Sequence, residues 1–282
     1  MHLIESNMKR IFITYANERF AISEKLILKE AKSLGIFDKC IGYTPKDLPE
    51  YIKANPLMSF ACGGGYWCWK PYVIWKTLQD YPDAVVIYAD AGCKLQSGSE
   101  WDDWFQYMET YDTLVTAYRK DFDYGWIYNG KKESVECERW IKKDLLEYFD
   151  AYYPGTQWHM YPSLVAGIVF CKSSSKLIEE WYRFVLMHPE YMIDPLAMEI
   201  NHQHKAYVAH RRDQSVLTAL AYWGVENGWN VKIIPETSEC RTDSAIVAAR
   251  RVIRPVPIKT KFVNAIKIIL GEKLYRKIHP KK

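Results

Sequence analysis

Residues 84–95, AVVIYADAGCKL, constrain the fold more than any other stretch of the chain. Val85, Val86 and Ile87 form a short apolar run rich in β-branched side chains, the pattern of a strand buried on both faces. The run stops abruptly at Asp90-Ala91-Gly92. Open α/β sheets place their ligands outside the carboxyl ends of the strands, so Asp90 stands where chemistry belongs. The preceding residues 63–78, GGGYWCWKPYVIWKTL, read as a helix with Trp67, Trp69, Tyr72, Val73, Trp75 and Leu78 as its bulky side chains. Three glycines precede it and Lys70 falls near its first turn. The rest of the chain is expected to be built around this helix–strand–Asp unit.

The order of the other elements supports a parallel arrangement. Residues 9–16, KRIFITYA, read as a first strand closed by Tyr15-Ala16-Asn17. Phe20, Ile22, Leu26, Ile27, Ala31 and Leu34 then recur with helical period, and Gly35 is a natural stop. A second strand over 37–43 and a short helix opened by Thr44-Pro45 complete a β-α-β-α start, which implies a parallel sheet with a nucleotide-sized crevice at its carboxyl edge. Further on, the pattern predicts a helix over 100–108, a strand over 113–118, an aromatic and glycine-rich loop over 121–130, and a helix over 139–152. A strand over 161–171 carrying Gly167 follows, then a serine-capped helix over 174–186. A helix over 210–224, with Asp213 and Gln214 near its start, precedes a last strand over 231–234. The expected fold class is α/β, a mixed, mostly parallel sheet flanked by helices.

Charge divides the chain. Residues 241–282 carry 12 Lys and Arg against 2 Asp and Glu, so the net charge of +4 leaves −6 on residues 1–240. The expected organisation is a catalytic-sized domain over 1–240 and a basic tail over 241–282. In that tail Phe262, Val263, Ile266, Ile269, Leu270 and Leu274 share one helical face ringed by Lys259, Lys261, Lys267, Lys273, Arg276 and Lys277, with Pro255 and Pro257 as a hinge. A basic amphipathic helix of this kind lies well on an anionic membrane surface, and 258–282 are the expected contact. The acidic body speaks against nucleic acid as a partner. Seven scattered cysteines, without metal-site spacing, and the absence of a secretory signal predict reduced thiols in the cytoplasm, with the protein peripheral on the inner face of the plasma membrane.

Three groups of residues suit chemistry, each with a plainer structural reading beside it. Asp90 could hold a divalent cation, or merely cap a loop. Lys70, followed by Pro71 at a helix start, suits an anion site. Arg211-Arg212-Asp213-Gln214 could address a sugar and its phosphate, or simply cap a helix. His202 and His204 fall on different helix faces, and His210 is at most a single supplementary ligand. Aromatic residues make up 15% of the chain, and Tyr66, Trp67, Trp69, Trp101, Trp104, Tyr124, Trp126, Trp158 and Tyr161 cluster near polar and glycine-rich segments. Such rings stack on the apolar faces of sugars, though most are expected in the core. No GxSxG elbow, no GxGxxG after the first strand and no P-loop ending occur.

Taken together, YAN at the end of the first strand, GYWxWKP, YADAG, GIVFCKSSSKLIEEW and RDQSVLTAL resemble, in this order, a nucleotide-sugar glycosyltransferase of the GT-A fold. The likeness is to bacterial enzymes of capsule and lipopolysaccharide assembly and, more distantly, to the lipopolysaccharide galactosyltransferase and glycogenin family, over roughly residues 8–240. It implies a UDP-sugar donor and a glycan or lipid-linked acceptor. By the same likeness Tyr15, Ala16 and Asn17 border the nucleotide, Trp69, Lys70, Asp90 and Ala91 contact the donor, and Asp213 and Gln214 hold the donor sugar near the acceptor. Gly167 and Trp158 fall on the acceptor side. Asp90 would be the first carboxylate of an Asp-x-Asp motif that binds Mn²⁺ or Mg²⁺, but Gly92 stands at the second. That departure leaves a second reading open, a glycan- or nucleotide-binding protein with a degenerate site.

Overall fold

A computed structural model describes residues 8–123, 127–128, 130–152 and 158–253. Its strands are β1 (Lys9–Tyr15), β2 (Lys39–Tyr43), β3 (Ala84–Ala89), β4 (Lys94–Leu95), β5 (Thr113–Ala117), β6 (Ile127–Tyr128), β7 (Lys131–Lys132), β8 (Leu164–Cys171), β9 (Val231–Pro235) and β10 (Ile246–Val247). Six of them form one sheet in the order β2-β1-β3-β8-β5-β9. The pairs β1–β2, β1–β3 and β5–β9 are parallel, while β8 runs antiparallel to both of its neighbours. The α/β class and the mixed, mostly parallel sheet are as the sequence predicts.

Side chains alternate across a strand, and here each set finds its own core. Ile11, Ile13, Val86, Tyr88, Val115 and Val169 face the helices Trp69–Asp80, Lys176–Met187 and Asp213–Glu226. Phe12, Val85, Ile87, Leu114 and Phe170 face Ala21–Leu34 and Glu100–Thr110. Every residue of β3 is buried, which accounts for its uninterrupted apolar run. Trp101 and Trp104 belong to the second core, and Trp158 is buried against Phe149 in the first.

Several boundaries differ from expectation, each for a local reason. The helix expected over 63–78 starts at Trp69, because Gly63, Gly64 and Gly65 take left-handed φ values of 62°, 59° and 102°. A Cβ at Gly65 would lie 2.6 Å from Met58 Sδ and one at Gly63 2.3 Å from the Trp67 ring, so the turn requires glycine. The helix expected from residue 210 starts at Asp213, after Arg212 at φ 54° and ψ −113°. The helix expected over 139–152 is two pieces, Cys137–Trp140 and Lys143–Tyr152, and the loop expected over 121–130 contributes β6 to a short antiparallel hairpin with β7.

The chain does not leave the body at residue 240. β10 pairs antiparallel with β4, and the Glu100 carboxylate accepts the Ala245 amide at 2.6 Å. Arg251 grips Glu30 with two hydrogen bonds of 2.6 and 2.9 Å and also reaches the Cys93 carbonyl. Residues 241–253 thus form a strap over the carboxyl edge of the sheet. The amphipathic segment 258–282, the Pro255–Pro257 hinge, Tyr124 and Trp126 lie outside the described residues. Among the described residues no helix is long and apolar enough to cross a membrane. All seven cysteines are free thiols.

Candidate active site

A cavity of about 540 Å³ opens at the carboxyl ends of β1 and β3, within the size range of small-molecule sites. Tyr15, Ala16, Asn17, Trp69, Lys70, Asp90, Ala91, Gly167, Asp213 and Gln214 all line it. Trp158 does not. Its ring is 3% exposed within the core and its indole N–H donates to Asp150 at 3.1 Å. The acceptor-side position expected for Trp158 is therefore not at this cavity.

The floor is a three-residue charge unit. Lys70 Nζ lies 2.8 Å from Asp213 Oδ2, 3.3 Å from Asp90 Oδ1 and 3.1 Å from the Ala166 carbonyl. Three acceptors match the three N–H groups of an ammonium. Burial alone would push the Lys70 pKa down, but Asp213 and Asp90 outweigh it and hold the pKa above its ordinary value, so the ammonium stays charged. Burial also pushes the Asp213 carboxyl upward, and Lys70 pulls against that shift. The helix start at Trp69 and the helix start at Asp213 bring these partners together from 143 positions apart.

Asp90 is the open member of the unit. The Asp90 side chain is 39% exposed, against 7% for Asp213 and 2% for Lys70. Its Oδ1 also accepts the Tyr88 hydroxyl at 2.6 Å, a phenol that burial and the neighbouring carboxylate keep protonated. Its Oδ2 has no hydrogen-bond partner among the described residues. A Cβ on Gly167 would sit 2.9 Å from that oxygen, so the glycine keeps it clear. Gly167 also gives its carbonyl to the Asp90 amide at 2.9 Å.

Aromatic rings form one wall. Tyr15 and Trp69 are stacked with centroids 3.6 Å apart, and the Trp69 indole N–H donates to the Gly63 carbonyl at 3.0 Å. Asn17 caps the turn at residues 18–20 by accepting the Arg19 amide. The opposite rim is basic. Arg212 pairs with Asp194 at 2.5 Å over the Tyr66 ring, and Arg250 pairs with Glu239 at 2.7 Å, whose other oxygen accepts the Tyr118 hydroxyl at 3.1 Å. Arg19, Glu239 and Arg250 were not singled out by sequence. Arg250 sits in a stretch whose charge reads as tail, and only the strap's packing moves it to the cleft.

The protein supplies few free oxygens for a divalent cation, since Asp213 is paired with Lys70 and Asp90 alone keeps an oxygen clear. Among the described residues no group of three or more His, Cys, Asp and Glu gathers where a metal could sit. His210, a possible extra ligand by sequence, is buried with Nδ1 accepting the Lys142 amide at 3.3 Å and Nε2 against the Tyr191 carbonyl at 2.8 Å. Burial, then Lys142, pushes its pKa down to about 3, so the ring is neutral.

Beyond Arg211 and Arg212 a second, more open cavity of about 760 Å³ continues between Lys131, Asp194, His204 and Lys205.

A cleft at the carboxyl edge of an α/β sheet, with stacked rings on one side and guanidinium groups on the other, suits a ligand that is both cyclic and anionic. Among the solved structures that the chain is similar to are several glycosyltransferases. It is similar to mouse xyloside xylosyltransferase 1 in its apo form, at 11% identity over 80% of this chain and 84% of that one, with a TM-score of 0.39. It is similar to the galactosyltransferase LgtC in complex with donor and acceptor sugar analogues, at 12% identity over 88% and 84%, with a TM-score of 0.38. The bifunctional glycosyltransferase WbbM matches at 12% identity and a TM-score of 0.43, over 83% of this chain but 40% of that one. No protein-family model and no curated protein matches the chain.

Proposed function

We propose that the chain is a glycosyltransferase that moves a hexose from a UDP-sugar onto a surface-glycan acceptor of capsule or lipopolysaccharide assembly. One observation supports this most. Ten residues that the motifs single out, from five segments between positions 15 and 214, line a single cleft that joins aromatic rings, an open carboxylate and a basic rim.

In this reading residues 15–17 border the base and ribose, the rim takes the diphosphate, and the sugar lies over Asp90 and Gln214. The acceptor approaches from the second cavity. Its hydroxyl oxygen bonds to the anomeric carbon as the bond to the diphosphate oxygen breaks, the electron pair staying on the phosphate. The hydroxyl proton passes to Asp90, whose Oδ2 is open, whereas Asp213 is committed to Lys70. The basic segment 258–282 would hold the enzyme at an anionic membrane surface, close to a lipid-linked acceptor.

The test is turnover. The full chain is incubated with a panel of nucleotide-hexoses and oligosaccharide or lipid-linked acceptors, and release of nucleoside diphosphate is followed together with product mass. UDP release with a hexose added to acceptor supports the proposal. Gly92, at the second position of the resembled motif, favours the other reading, a binding protein; ligand binding with neither transfer nor donor hydrolysis would establish that one instead.

A further inference from the structure

A cation that bridges protein and diphosphate draws one or two carboxylates from the protein, and this cleft commits nearly all of its carboxylate oxygens elsewhere. Asp213 gives an oxygen to Lys70, and Glu239 has both oxygens occupied by Tyr118 and Arg250. Asp90 alone keeps one oxygen open. At Gly92 a Cβ would already touch the Arg250 Cα and the Arg251 nitrogen, each at 3.4 Å, and the Arg251 amide donates to the Gly92 carbonyl at 2.9 Å. A side chain at Gly92 would therefore start in contact with the strap backbone.

What the strap brings to that place is a guanidinium. Arg250 lines the cleft from a backbone held at φ 49°, and Arg212 lines it from φ 54°. Non-glycine residues at such angles are uncommon and concentrate where function over-determines the backbone. Among the described residues the other two are Tyr66, whose ring lies under Arg212, and Trp67, which lines the same cleft. All four surround one site.

The charge balance points the same way. The lining residues include five cations, Arg19, Lys70, Arg211, Arg212 and Arg250, against three anions, Asp90, Asp213 and Glu239. Adding Asp194 behind Arg212 leaves the balance positive. Within residues 1–240 the four cations are matched by four anions, so the surplus is Arg250, which the strap supplies. A guanidinium presents a planar fork that matches phosphate oxygens in pairs, and it stays charged at any physiological pH.

We propose that the cleft holds the diphosphate of its donor directly on guanidinium groups, Arg250 and Arg212 foremost, with no divalent cation between protein and phosphate. The inference rests on the nucleotide-sugar reading above. It assigns Lys70 to fixing the two carboxylates, and the strap to supplying the positive charge that a metal would otherwise bring.

Calorimetric titration of the full chain with UDP, first in EDTA and then in Mn²⁺, tests it. The expected result is binding in EDTA whose affinity changes less than about twofold on adding Mn²⁺, with Arg250→Gln weakening it roughly tenfold and Arg212→Gln by a similar factor. Circular dichroism checks that the variants fold. Should Arg250→Gln lose its structure, Arg250→Lys keeps the charge facing Glu239 without the fork, and weaker UDP binding is expected there too. UDP binding that appears only with Mn²⁺ would overturn the inference and leave the transferase reading standing. Wild-type affinity in both arginine variants would overturn it as well. No binding of UDP or any other nucleoside diphosphate, with or without Mn²⁺, would overturn both.

Discussion

The floor and the rim of the cleft are built from the same charged side chains in opposite ways. On the floor, Lys70, Asp90 and Asp213 come from strand and helix ends, and Lys70 and Asp213 are nearly inaccessible to solvent. On the rim, Arg212 and Arg250 rise from left-handed backbone, each matched by one carboxylate and exposed to the cavity. A buried charge needs complete pairing to be tolerated, so the floor is rigid and its geometry fixed. A half-exposed charge needs less, so the rim keeps attraction in hand for a ligand. Geometry comes from below and net charge from the side.

Removing the floor's cation should have the largest effect. Lys70→Met leaves Asp213 buried without its partner and is expected to cost about 3–5 kcal/mol of stability, measured by urea unfolding. Adding Asp213→Asn should restore part of the loss; full additivity of the two losses would contradict the pairing. Asp90→Asn separates chemistry from stability. Transfer should fall about 10²–10⁴-fold while the melting temperature stays close to wild type, because Asp90 is the exposed member. A large drop in melting temperature would mean that the Asp90 contact with Lys70 is as structural as that of Asp213.

His210, two positions before Arg212, is expected to show the next effect. In the fold it is neutral with its pKa near 3, while in the unfolded chain it takes a proton below about 6.5. Stability is therefore complete above about pH 6.5 and is lost as the pH falls toward 3, at up to about 1.4 kcal/mol per unit. His210→Gln should flatten that slope in urea titrations across this range. The smallest effect belongs to the outer rim. Arg19→Ala should weaken UDP a few-fold at low salt and hardly at all at high salt, where exposed charges are screened. An equal loss at both ionic strengths would mean that Arg19 belongs to the fixed part of the site.

The sequence made the floor legible and left the rim largely hidden. An apolar run ending in Asp90 and a helix opening with Asp213 are local patterns, and local patterns carry the positions of strand ends and helix starts. The start of the helix at Trp69 was missed because GGGYW has no periodicity of its own. Only the contacts with Trp67 at Gly63 and Met58 at Gly65, and the positive φ of all three, show why these residues must lack side chains. Arg250 and Glu239 were missed for a different reason. Their place depends on β10 finding β4, a two-residue pairing between segments about 150 positions apart, and no composition or spacing rule reports that. Trp158 shows the converse case. A tryptophan in a polar neighbourhood suggests a sugar platform, whereas its ring is buried in the core and its indole N–H donates to the partly exposed Asp150 carboxylate.

The strap also sets an order of events. Its far end is tied to the beginning of the chain, where the Ser23 hydroxyl donates to the Arg251 carbonyl across 228 positions. Chains emerge from the ribosome amino end first and fold domain by domain as they appear. While residues 241–253 are still in the exit tunnel, the nascent protein can already form β1 and β3 and expose Asp90. At that stage nothing covers Gly92 and Arg250 has not arrived. On the proposed reading, a chain that ends before this stretch lacks both Arg250 and the cover over Gly92, and is expected to bind nucleotide more weakly than the full chain.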